Sequence, residues 1–288
     1  MKMTKNTFKL FVCVTLYCAI SGCRADIESK DDHQMVLDPA YEDLLTTISC
    51  FEKENHFVTD VPTRKAPWGF VVAADASPLV LGTGFGNVGI FMGAVFGIIN
   101  SLYVAFFVNN EFELMENQRL SGINWAEEVV CLKEHEVDNT EIVGAVHNAV
   151  LQQLFYESET VDYSEVSDWE LFKIIEQKVA DYLPEESTSI TQSQYQQLRE
   201  LFPDSREYID FDAFANACLN DYPGFEEDYM VAFRVLSTII AQDSDEQLDS
   251  YEKGVIQLIK DSSISEESKK GLIGTVSVQK ASKEFWYE

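Results

Sequence analysis

Apolar and polar positions divide this chain into three regimes. Near the start, Leu10 to Ile20 is an apolar segment of 11 residues behind Lys2, Lys5 and Lys9. In the middle, no Asp, Glu, Lys or Arg occurs from Ala76 to Asn110. After residue 110 the chain turns acidic, and apolar residues return at helical spacing. The first periodic segment is 39–54, where Tyr41, Leu44, Leu45, Ile48 and Phe51 share one face. Later segments follow the same rule. Asn139 and Thr140 can cap a helix carrying Ile142, Val143, Val146, Val150, Leu151, Leu154 and Phe155. Ser167 and Glu170 form a capping box ahead of Trp169, Phe172, Ile175, Val179 and Tyr182. Further helices are expected over Thr191–Phe202, Asp210–Tyr222 and Gly224–Ala241, and after a Ser244 cap. A last segment, Ser265–Trp286, reads as helix or as partly strand around Thr275–Val278. The expected fold class is all-α.

The central block holds a ladder of small residues. Gly82, Gly86, Gly89, Gly93, Gly97 and Ser101 are spaced by 4, 3, 4, 4 and 4. Those steps keep them near one side of a helix. A glycine inside a helix costs about 1 kcal/mol relative to alanine, so repetition calls for a packing reason. A smooth glycine face lets another helix backbone approach closely. The ladder therefore predicts tight helix packing or membrane association. Asp75 and Pro78 are expected to interrupt the first part of the block, and residues 82–87 to break it. The result is a helical hairpin whose stronger arm is Val88–Val108. That arm has 21 uncharged residues, about 31 Å of helix and long enough to cross a bilayer. Glu111, Glu113 and Glu116 follow it directly, and this acidic flank weighs against a permanent inner-membrane span.

The apolar N-terminal segment is short for a membrane span and has the layout of a secretory signal. It ends in Ile20-Ser21-Gly22-Cys23. This tetrapeptide resembles the lipobox of bacterial lipoproteins, which implies a lipid on Cys23. Cleavage after Ala25 is the alternative. The expected organisation is a signal at 1–22, a tether at 23–38 and a short helix with linker at 39–66. A glycine-rich apolar hairpin then spans 67–110, and an acidic helical domain 111–288.

Charge narrows the partners. The chain has 21 basic and 49 acidic residues, a net charge of −28. Without residues 1–22 it has 18 basic and 49 acidic residues, or −31. Such a balance disfavours nucleic acid and anionic headgroups, which are bound through Lys and Arg. A charged exterior also keeps an exported protein from self-associating.

The search for chemistry gives little. The segment Tyr208–Phe214 looks like the tail of an EF-hand loop, but aligning it puts Phe202, Arg206 and Ala213 at ligand positions, so it is rejected. Of the four histidines, His33 and His56 fall in polar segments and His135 lies between Glu134 and Glu136. His147 sits at the edge of an apolar helical face, where a hydrogen-bonded structural role is favoured over a catalytic one. Neither a nucleophile elbow, a zincin helix nor a P-loop is present. No cofactor, metal site or catalytic residue is expected. Cys50, Cys131 and Cys218 remain if Cys23 is lipidated. They allow one disulfide and one free thiol, or three buried thiols.

Three patches together resemble a loose group of exported lipoproteins of Bacteroidota. They are the lipobox, the run Ala73-Ala74-Asp75-Ala76 before the ladder, and Gly144-x-x-His147-Asn148-x-x-Leu151. The ladder alone resembles glycine-zipper segments of outer-membrane lipoproteins. The resemblance implies anchoring by lipidated Cys23 at the outer membrane of a Gram-negative cell, and it implies no activity. The leading expectation is a non-enzymatic envelope lipoprotein with a structural or interaction role, through a protein partner or self-association. The alternatives are a membrane-active protein inserting residues 88–108 and an enzyme built around His147.

Overall fold

A computed structural model describes residues 37–59, 67–82, 87–103 and 123–286, apart from residues 159, 160, 162, 188 and 209. The signal segment, Cys23, Gly86 and the stretch after Tyr103 fall outside the described residues. Among those described there are eleven α-helices and no strand, so the fold is all-α. In chain order they are α1 (Pro39–Glu54), α2 (Pro67–Gly82), α3 (Asn87–Tyr103) and α4 (Trp125–Glu134). Then come α5 (Asn139–Glu157), α6 (Asp168–Tyr182), α7 (Gln192–Arg199) and α8 (Phe211–Asn220). The last three are α9 (Glu226–Ala241), α10 (Asp245–Asp261) and α11 (Glu266–Trp286). Residues from Asp38 onward make one compact unit.

Local sequence sets most of the helix starts. Side-chain oxygens of Asp38, Asn124, Asp138, Ser167, Thr191, Asp210 and Ser244 accept the first free backbone N–H groups. Such a cap contributes about 1 kcal/mol. Asp138, one residue before the expected pair, caps α5 through Thr140 N–H at 2.9 Å. Both Ser167/Glu170 and Thr191/Gln194 close full capping boxes. Helix α4 is an addition to the sequence reading. Its apolar side is short, with Trp125 and Val129 buried, and Asn124 caps it.

Helices α2, α3, α5 and α11 are buried on almost every side, and the others wrap them. Helices α2 and α3 are apolar all round, and such helices have no solvent face to present and belong in a core. Helix α2 packs against α3 and α11, and α11 also packs against α5. The glycine ladder explains the first of these contacts. A methyl group added at Gly82 or Gly89 would overlap the backbone of the other. One at Gly93 would come within 2.9 Å of Leu79 Cα, and one at Gly97 would overlap the Asp75 carbonyl oxygen. The pairs 82/89, 79/93 and 75/97 run in opposite directions, so α2 and α3 cross as an antiparallel hairpin with backbones touching. Ser101 continues the ladder and is fully buried.

One expectation is corrected here, and one open alternative is decided for the helix. Asp75 and Pro78 do not interrupt the first arm, since α2 runs unbroken from Pro67 to Gly82. Pro78 removes one backbone donor, and neighbouring Ser77 donates its hydroxyl to the Ala73 carbonyl at 2.5 Å. Nor does Thr275–Val278 form a strand; α11 is continuous through it. The β-branched Thr275, Val276 and Val278 are buried in the core, where packing outweighs a helix-propensity cost of a few tenths of a kcal/mol. Gly144 lets α11 approach α5, because a methyl there would overlap the Ser277 carbonyl. Ser277 Oγ accepts from Gly144 N–H at 3.1 Å and donates to the Glu141 carbonyl at 2.5 Å.

Polar side chains tie the outer helices down. Glu52, 1% exposed, accepts from Thr238 Oγ1 at 2.7 Å, from the Tyr251 hydroxyl at 2.9 Å and from Arg234. This joins α1 to α9 and α10. Asn100 donates to the Pro203 carbonyl at 2.7 Å and holds the turn after α7 against α3. Phe96, Phe172, Tyr195 and Phe202 pack together between α3, α6 and α7, with Phe96 and Phe202 stacked at 4.6 Å. Among the described residues, no helix is long and apolar enough to cross a membrane.

Candidate functional site

Two places bring together chemistry-bearing side chains. The first is the centre of the molecule. Asp75 is the only charged residue between Pro67 and Val108, and α2 carries it to a point met by α3, α5 and α11. It is fully buried. Its Oδ2 accepts from Ser282 Oγ and from Trp286 Nε1, the latter at 3.3 Å. His147 Nε2 lies 3.7 Å from the same oxygen, too far for a hydrogen bond. His147 Nδ1 is 3.0 Å from Asn148 Oδ1, while Asn148 Nδ2 donates to the Ala281 carbonyl at 2.7 Å. Since Asn148 Oδ1 can only accept, His147 carries its proton on Nδ1. Nε2 is then a bare lone pair facing the carboxyl.

Burial dominates both titrations. It pushes the Asp75 carboxyl up to about 7, against the opposing pull of the hydroxyl and indole donors. It holds the His147 imidazole down at about 4. At neutral pH the imidazole is neutral, and burial holds the carboxyl much closer to its protonated form than an exposed carboxyl would be. Asp75 Oδ1, Ser101 Oγ and His147 Nε2 are buried with no hydrogen-bond partner. A protonated Asp75 has the donor that His147 Nε2 lacks. His147 was expected at the edge of an apolar face; it is instead at the core, with 0% exposure. A buried site of this kind can hold a proton and fix four helices.

The second place is open. Helices α4, α5, α10 and α11 enclose a cavity of about 480 Å³ lined by Trp125, Ala145, Glu252, Ile256, Lys280 and Glu284, among others. Lys280 Nζ is 2.9 Å from Asp249 and 2.9 Å from Glu284, and 4.0 Å from Glu252. Partial burial raises Glu252 to about 7, opposed first by the Lys280 charge. It also raises Glu284. The Trp125 indole N–H is buried without a partner. None of these four residues stands out in the sequence. Their helices bring together positions 125, 252, 280 and 284, and no local motif signals that.

The ladder residues named from the sequence lie in the α2–α3 contact, with Gly86 outside the described residues. Cys50 and Cys131 are exposed and Cys218 is buried, all three as free thiols. Neither cysteine alternative drawn from the sequence describes them, since Cys50 and Cys131 are neither paired nor buried. No group of three or more His, Cys, Asp or Glu residues is placed to hold a metal ion among the described residues. No family model, curated protein or solved structure matches this chain.

Proposed function

We propose that this is a non-enzymatic envelope lipoprotein, tethered at the outer membrane through Cys23, whose helical unit serves as an interaction module. The observation that supports this reading is where the glycine ladder is spent. Gly82 faces the α3 backbone at Gly89, and Gly89, Gly93 and Gly97 face the α2 backbone, at separations that no larger residue allows. The same apolar helices carry Asp75 to its partners on α5 and α11. Inserting α3 into a bilayer would separate those contacts and strand a buried carboxyl. Anchoring then falls to the lipid, and binding falls to the outer surface of the helical unit, where the acidic cavity lies.

The test is to export residues 24–288 behind a cleavable signal that directs no lipidation, then wash the membranes with alkaline carbonate. Release of folded protein is expected. Retention after the wash would refute the reading and favour insertion of residues 88–108.

A further inference from the structure

The α2–α3 hairpin is a separable unit inside the core. Between Lys65 and Glu111 the only Asp, Glu, Lys, Arg or His is Asp75. The two arms meet glycine against backbone, so they can move together with that contact intact. The helices that wrap them, α1 and α6 to α10, bury one side and keep polar outer faces. Asp75 ties the hairpin to its surroundings. Ser282 and Trp286 on α11 donate to it, and His147 on α5 lies 3.7 Å away. Among the described residues no other charge faces Asp75. Helix α3 offers Ser101. Helices α8 and α9 bring Cys218 and Tyr229 beside Ser77, and burial holds both in their neutral forms. Lys283, next to Ser282, donates instead to the Ile239 and Gln242 carbonyls. No charge on α4 or α6 acts on His147, whose polar neighbours are Asn148 and Asp75.

We propose that acid releases the α2–α3 hairpin from the core into a lipid bilayer, with Asp75 leaving on α2 and His147 staying on α5. The two arms have 16 and 17 residues, about 24–26 Å of helix. They fall a few ångströms short of the hydrocarbon core, a mismatch that local thinning of the bilayer meets. Proton uptake sets the direction. Asp75 enters the bilayer in its neutral form, the form that burial already favours. His147, uncovered to water, returns from about 4 to its ordinary 6.5. Above about pH 7 the proton is gained by Asp75, and below 6.5 by His147. Insertion therefore takes up about one proton throughout and is favoured up to tenfold by each pH unit of acidification. Unfolding into water has no such bias between about pH 4 and 6.5, because Asp75 then loses a proton as His147 gains one. The bilayer removes that offset. At neutral and alkaline pH the ionising carboxyl and the glycine-packed core keep the hairpin in place. The inference thus rests on the folded, tethered module as the resting state.

The experiment uses residues 24–288, which contain the whole compact unit. They are mixed with phosphatidylcholine vesicles carrying a photoactivatable acyl chain, from pH ~8 to pH ~4.5. Flotation gives the bound-to-free ratio, and tryptic digestion after illumination maps the crosslinks. No Lys or Arg lies between Lys65 and Arg119, so the hairpin is released as one peptide, 66–119. The ratio should rise about a hundredfold from pH ~8 to pH ~5, with the acid-dependent crosslinks in that peptide. Asp75→Asn should flatten the profile above pH ~7, and His147→Asn should flatten it below pH ~6. Circular dichroism at pH ~7 establishes that each variant is folded, and the parent's profile and crosslink map decide alone where one is not. Equal labelling at pH ~8 and pH ~5, acid-dependent crosslinks confined to other peptides, or unchanged slopes in both folded variants would overturn the proposal. Release in the carbonate wash without acid-dependent labelling would reject the hairpin's escape and leave the tethered module standing. Retention in that wash would refute the module itself.

Discussion

Asp75 and His147 make a prediction with an unusual sign structure. Burial raises the Asp75 carboxyl from 3.8 to about 7 and lowers the His147 imidazole from 6.5 to about 4. At 1.36 kcal/mol for each tenfold change, ionised Asp75 costs the folded state about 4 kcal/mol and protonated His147 about 3. Consider pH ~5. In the unfolded chain Asp75 is ionised and His147 protonated. In the folded chain Asp75 is protonated and His147 neutral. Each state holds one proton on the pair, so folding exchanges none and the pair leaves stability flat between about pH 4 and 6.5. Above that window only the folded state retains a proton, and stability falls until about pH 7.

Single replacements expose the two halves. Asp75→Asn removes the group that favours folding at low pH. Relative to the parent, its stability should rise by about 4 kcal/mol from pH 4 to pH 7. Replacing His147 with Asn removes the group that opposes folding at low pH. Its relative stability should fall by about 3 kcal/mol from pH 4 to 6.5. The assay is urea unfolding followed by far-ultraviolet circular dichroism at several pH values, read as differences from the parent to cancel other groups. Opposite slopes are expected. Two flat differences, or two slopes of one sign, would refute the assignment of the buried proton to this pair.

Other predictions follow from packing and exposure. Gly97→Ala drives a methyl into the Asp75 carbonyl and should cost about 1–3 kcal/mol or more, measured by the denaturation midpoint. Gly224→Ala is the contrasting control, since nothing lies within 4 Å; its positive φ of 90° brings backbone strain alone. Glu52→Ala leaves Arg234, Thr238 and Tyr251 without their shared acceptor and should cost about 3–5 kcal/mol in the same assay. In the folded protein, a thiol reagent should modify Cys50 and Cys131 quickly and reach Cys218 only with denaturant, as mass spectrometry of the labelled peptides would show.

The sequence by itself determined most of the helices, because their signals are local. Capping residues such as Ser167 and Thr191 lie within three positions of the N–H groups they serve, and apolar periodicity reports the buried face directly. The glycine spacing likewise announced a close helix contact. Tertiary structure alone decided which backbone fills that groove, since a ladder specifies a shape and no partner. It also decided the fate of Asp75. As a lone charge in an apolar block it looks like an interruption; Ser282 and Trp286, more than two hundred residues away, turn it into a buried acceptor. The cavity has the same origin. Trp125, Glu252 and Lys280 belong to separate helices, and their meeting depends on how α4, α10 and α11 pack. Contacts between distant segments arise from shape and volume summed over the whole core, which no local window of sequence contains.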